Sequence, residues 1–135
     1  MNKRKIKSLT YFELEIGGYF SEGGKLRFKN SKILSSRSPF VFDEYADGKS
    51  EGKKVTSREE MEFMEGLNRI GVINWSKEYV DIEMLDGTQW SMKLQYNGSL
   101  KKHIYGSNEY PQKFGEVLKL CNSILDEPVF DIEFE

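Results

Sequence analysis

The chain has 135 residues, with 20 Lys and Arg against 22 Asp and Glu for a net charge of −2, and one cysteine. That length suits a single domain (1–135) able to bury a core without metal or disulfide staples, and Cys121 has no partner for an internal disulfide. No apolar run approaches the length of a membrane span and the start at residues 3–7 lacks the apolar segment of a signal peptide, so a cytoplasmic protein with no membrane partner is expected.

Residues 1–8 read as a flexible, solvated N-terminus. Phe12, Leu14 and Ile16 then alternate with Glu13 and Glu15, the period of a half-buried strand, which reaches Gly17 and Gly18, where a bulge or bend is expected. After a glycine-rich turn, Leu26 and Phe28 alternate with Lys25, Arg27 and Lys29, predicting a second strand with a cationic row on its open face. A third short strand is predicted over 31–35, and 36–43 cross Pro39 in extended form. Residues 43–54 combine charges and glycine with little apolar content and no period, which predicts a mobile loop.

Thr56 and Ser57 each stand three residues before a glutamate, Glu59 and Glu60, a doubled capping-box signal for a helix. Phe63, Met64, Leu67 and Ile70 line one side of it, and Gly71 is a natural left-handed stop. Beyond it, Val80, Ile82 and Met84 share one phase, and Trp90, Met92, Leu94 and Tyr96 share another. An odd-length loop around Asp86 and Gly87 brings the two together as a hairpin, pairing Met84 with Trp90, Ile82 with Met92 and Val80 with Leu94. An odd loop at Asn97 and Gly98 pairs Tyr96 with Leu100 and Met92 with Ile104, and leaves Lys102 opposite Leu94. Gly106 and Asn108 are expected at positive φ, and Pro111 in the first turn of a helix whose stripe is Phe114, Val117, Leu118, Cys121, Ile124 and Leu125. Phe130, Ile132 and Phe134 alternate with acids as a final strand. Together these elements predict an α+β fold, a mainly antiparallel sheet of about six to seven strands with two helices packed on one face.

Candidates for chemistry are few. His103, the one histidine, lies on a predicted strand without an orienting carboxylate or companion ligands at suitable spacing. Cys121 falls on the apolar helix stripe, the place of a packed thiol. Asp81, Glu83 and Asp86 gather on one strand and its turn, which suits a solvated sheet face or a divalent cation. Glu51, Gly52 and Lys53 have the acid-x-lysine spacing of metal-dependent nucleases but sit in the loop rather than on a core strand. Neither glycine pair is followed by the helix start of a phosphate loop. No catalytic constellation, cofactor or metal is expected.

Charge is unevenly divided: residues 1–42 sum to +6 and residues 43–135 to −8. The division suits two halves that attract each other across one sheet, ahead of a basic face for nucleic acid; with the missing catalytic constellation and the long acidic loop, it suggests a small binding protein of bacterial or mobile-element origin acting through a protein partner, with Asp43, Glu44, Tyr45, Asp47 and Glu51 of the loop as contacts. The alternative is a nucleic-acid-binding protein using Lys3, Arg4, Lys5, Lys7, Lys25, Arg27 and Lys29, with Tyr11 and Tyr19 as the nearest aromatic platforms.

The run Asp86-Gly87-Thr88-Gln89-Trp90, then Tyr96-Asn97-Gly98, then Gly106-Ser107-Asn108-Glu109-Tyr110-Pro111 with Phe114 resembles a pattern in small uncharacterised bacterial proteins. In these a strand pair with a D-G-x-x-W turn leads through G-S-N-x-Y-P to an amphipathic helix. The resemblance covers about residues 75–125 and implies a shared fold element; it carries no activity.

Overall fold

The computed structural model describes residues 5–18, 24–36, 53–80, 88–126 and 128–130. Within them the strands are β1 (Leu9–Gly18), β2 (Gly24–Lys29), β3 (Lys32–Ser36), β4 (Lys53–Lys54), β5 (Glu78–Val80), β6 (Thr88–Tyr96) and β7 (Leu100–Ser107). The helices are α1 (Ser57–Ile70) and α2 (Phe114–Ser123), with a 3-10 turn at Val72–Asn74. The seven strands form one sheet in the order β4-β3-β2-β1-β6-β7-β5, antiparallel except for β5 beside β7. Strands and helices are segregated, as an α+β fold requires.

One face of the sheet makes the core. Phe12, Leu14 and Ile16 of β1 stand beside Leu26 and Phe28 of β2 and Trp90, Met92 and Leu94 of β6, all buried. Both helices lie on this face: Phe63 of α1 meets Phe12 edge-on at 5.1 Å, and Phe114 of α2 meets Trp90 at 4.7 Å. They approach closely at Gly66, where an added Cβ would come within 2.6 Å of Leu120. Thr56 and Glu59 form the expected capping box and Gly71 ends α1 at φ 86°. Asn122 of α2 holds the chain beyond it, accepting from the amides of Val129 and Phe130 and donating to the Phe130 carbonyl. Ile132, Phe134 and the acids between them lie outside the described residues.

Two tight turns set the registers that matter below. Asn30 and Ser31 both take left-handed φ, 55° and 60°, so β2 and β3 join through two residues and Lys29 faces Lys32. Asn97 and Gly98, at φ 48° and 90°, open the odd loop that pairs Tyr96 with Leu100 and Met92 with Ile104, as the alternation predicts. Lys102 does fall opposite Leu94, and its ammonium is accommodated by donating to the Trp75 carbonyl at 2.6 Å.

Several expectations are corrected. Val80 does not pair with Leu94, because both edges of β6 are occupied by β1 and β7. Instead β5 runs parallel to β7, with Tyr79 opposite Gly106. Its phase is reversed too: Tyr79 stacks on Trp90 at 6.0 Å and Val80 is 38% exposed. Ile82, Met84 and the turn at Asp86 lie outside the described residues. The irregularity of β1 is at Thr10, where the register shifts between Leu9 and Tyr11, whereas Gly17 and Gly18 continue the ladder opposite Gln89 and Thr88. Residues 5–8 are anchored rather than frayed: Ile6 is buried and exchanges two hydrogen bonds with Asn68, and Asn97 accepts from the amides of Lys7 and Ser8. At the far end of the charged loop, Lys53 and Lys54 form β4, and Lys53 reaches the Ile124 carbonyl and Asp126.

The corner between β7 and α2 also has its own logic. Asn108 is left-handed at φ 60° and its side chain accepts from the Thr88 amide. Gly106, by contrast, keeps an ordinary strand conformation; it is required because a Cβ there would lie 2.2 Å from the Trp90 indole nitrogen. Pro111 precedes the helix instead of opening it: its carbonyl accepts from Phe114 across a turn in which Lys113 takes φ 69°. That extra turn lets Tyr110 pack on Phe114 at 4.9 Å while Trp90 donates to the Glu109 carbonyl.

Candidate anion-binding surface

The face of the sheet opposite the helices carries the charge. Directly opposed residues share a face, and β-strands place such residues about 4.8 Å apart, so the registers arrange this face in rows. One row reads Lys54, Lys32, Lys29, Tyr11, Gln95, Lys101 across β4, β3, β2, β1, β6 and β7. Its four lysines are exposed, and no carboxylate stands in the row. Among the described residues none of the four forms an ion pair. Five strand spacings give it a length of about 24 Å.

The neighbouring rows differ. Two residues along each strand, about 6.7 Å away, the next row reads Leu34, Arg27, Glu13, Lys93, His103. The third reads Ser36, Lys25, Glu15, Ser91, Tyr105, Glu78, where Tyr105 is 43% exposed and its phenol is raised by a hydrogen bond to Glu78. Charge therefore grades from basic to acidic along the strands.

Lys25 and Arg27 are not an open cationic row. Glu13, 5% exposed, accepts from the Arg27 guanidinium at 3.0 Å and from Tyr11 at 3.0 Å, and pairs with Lys25 at 3.7 Å. Lys25 itself is 4% exposed and also meets Glu15 at 3.9 Å. Burial and the Glu13 carboxylate push the Tyr11 phenol up to about 12, so its hydroxyl is held as a donor to that carboxylate.

At the β7 end of the basic row lies a cavity of about 560 Å³. Its walls include Lys101, Gln95 and Tyr11 from the row, Lys93 and His103 from the next, Lys102 from the other face of β7 and Lys77 beyond the strand edge. Walls from both sides of the sheet can meet here because β5 flanks β7 only from Tyr105 to Ser107.

Of the residues singled out by sequence, Lys29 stands in the basic row. Lys5 and Lys7 are exposed near the Asn97 turn that closes the same end of the sheet, where Lys5 accepts from and Lys7 donates to the Asn97 side chain. Lys3, Arg4 and Tyr19 lie outside the described residues, as do Asp43, Glu44, Tyr45, Asp47 and Glu51 of the charged loop and the acids Asp81, Glu83 and Asp86. Cys121 is fully buried, and burial alone drives its thiol far up from the ordinary value. Among the described residues no three His, Cys, Asp or Glu are placed to hold a metal, and no helix is long and apolar enough to cross a membrane. Lys32, Lys54 and Lys101 escaped sequence reasoning, although the Asn97 register already puts Lys101 on the open face beside Gln95. No family model, curated protein or solved structure matches the chain.

Proposed function

We propose that the chain is a binding protein for single-stranded nucleic acid, held on the open face of the sheet by Lys29, Lys32, Lys54 and Lys101. The observation that carries this reading is the basic row itself, a line of exposed ammonium groups about 24 Å long with no carboxylate in it. A linear polyanion matches a line of cations, because each contact releases a condensed counterion. The line is single: the adjacent row, about 6.7 Å off, places Glu13 at its centre, and the third adds Glu15 and Glu78. One backbone, rather than the two of a duplex, fits that pattern. Tyr11 in the middle of the row, with Tyr105 further along the face, offers ring surface for bases. The protein-partner alternative draws on the charged loop, outside the described residues, and no described contact favours it.

The test is a salt titration with a single-stranded oligonucleotide of about 20 nucleotides. Four neutralised phosphates give a slope of log Kobs against log salt near −3, from roughly −0.7 per phosphate, and Lys29→Gln with Lys32→Gln should reduce it by about 1.4. No binding at about 25 mM salt, or a slope unmoved by the two substitutions, would remove the proposal.

A further inference from the structure

The basic row spaces its cations one to a strand, whereas the cavity at its β7 end draws several to one place. The lysines Lys77, Lys93, Lys101 and Lys102 and the imidazole of His103 all contribute to its walls, and among the described residues no carboxylate does. Its volume of about 560 Å³ falls within the usual 300–1,000 Å³ of small-ligand sites. Lys102 is fixed there by its hydrogen bond to the Trp75 carbonyl, and Lys77 by the Tyr105 amide, which donates to the Lys77 backbone oxygen. An internal phosphodiester offers a single negative charge. A terminal phosphomonoester carries about −1.5 to −2 at pH 7 and three acceptor oxygens, and the cavity gathers lysines from three strand positions and from Lys77 to favour the difference.

We infer that this cavity receives the terminal phosphate of a strand lying along the basic row, so that the protein reads phosphorylated ends. The inference rests on the reading of the open face given above. The row runs into the cavity through Tyr11, Gln95 and Lys101, which belong to both, so a strand on the lysines ends there without a bend across the acidic rows.

Fluorescence anisotropy with single strands of about 20 nucleotides bearing a 5′-phosphate, a 3′-phosphate or neither tests it, with the dye on the opposite end. One phosphorylated end should bind about tenfold tighter than the bare strand, a difference of the size of one charge-assisted contact. Lys77→Gln with His103→Gln should bring that strand down to the bare strand's affinity, and Lys29→Gln with Lys32→Gln should weaken both strands alike. A nucleoside monophosphate should cancel only the extra affinity of the phosphorylated end. Equal affinity for all three strands overturns the inference while leaving the open-face reading in place. Full displacement of the bare strand by the monophosphate overturns it too, since the cavity would then serve every strand. Absence of binding by any strand ends both readings.

Discussion

Replacing Gly106 by alanine sets two effects of opposite sign against each other. Glycine in a strand costs roughly 0.5–1 kcal/mol relative to alanine, and Gly106 has no positive φ to protect, so local propensity makes the substitution stabilising. Packing opposes it: the added Cβ would lie 2.2 Å from Trp90 Nε1, 2.5 Å from Cε2 and 2.8 Å from the Glu109 carbonyl, where carbon contacts at rest stand about 3.5–4.0 Å apart. The indole has nowhere to retreat, being enclosed by Tyr79, Tyr110 and Phe114 and bonded through Nε1 to Glu109 at 2.9 Å. Overpacking costs roughly 1–3 kcal/mol and the strained hydrogen bond about 1 more, so after the propensity gain Gly106→Ala should destabilise by about 1–3 kcal/mol. Urea unfolding followed by far-UV circular dichroism measures this in two backgrounds. Trp90→Ala alone should cost about 3–5 kcal/mol, and within that variant the cost of Gly106→Ala should fall to below about 1 kcal/mol, what the remaining 2.8 Å approach to the Glu109 carbonyl leaves after the propensity gain. An equal cost in both backgrounds, or a stabilised parent, would refute the claim that Trp90 is what excludes a side chain at Gly106.

Two further outcomes follow from the open face. Glu13→Gln leaves Arg27 and Lys25 without their shared carboxylate, and should cost about 3 kcal/mol, the lower end for breaking a buried pair because the Arg27 side chain keeps 23% of its exposure; a loss below about 1 kcal/mol in urea would mean that solvent already screens the pair. Tyr11 titrates near 10 when unfolded and at about 12 when folded, so the folded state holds its proton longer: the stability it contributes is complete below pH 10 and is lost as pH rises through about 12. Tyr11→Phe should therefore flatten the fall in melting temperature between pH 10 and about 12, and an unchanged fall would show that the phenol does not drive it.

Where one apolar phase faced one core, the strands were legible. The register of β6 with β7 followed from matching Met92 to Ile104, because a one-residue slip would expose every core residue of both strands. The ends of α1 were legible because capping is local chemistry, Thr56 with Glu59 and Gly71 at a left-handed angle. The place of β5 was not: Tyr79 and Val80 can each face a core, and nothing local says that β6 already has two neighbours. Parallel pairing between strands far apart in the chain leaves no mark in alternation. Gly106 misled for a related reason, since a glycine demanded by a distant indole looks the same in sequence as one demanded by a turn.

The candidate surface shows why charge summed along the chain is a poor guide to charge displayed in space. Residues 1–42 carry +6, yet Lys25 and Arg27 are answered by Glu13 and Glu15 of the adjacent strand, within that same half. The exposed row is drawn from both halves, Lys29 and Lys32 from the basic one, Lys54 and Lys101 from the acidic one. What joins them is strand phase carried across five pairings, two of them closed by tight turns among the described residues. The two-residue turn at Asn30 and Ser31 sets Lys29 against Lys32, and the odd loop at Asn97 sets Lys101 beside Gln95. The bulge at Thr10 lets Leu9 join Phe12 in the core, while Tyr11 takes its place in the row from its pairing with Lys29 and Gln95. Because side chains alternate between faces, inserting or deleting one residue at either of the two turns would move part of the row to the buried side. The surface is thus as tightly determined as the core on its other side, and by the same pairings.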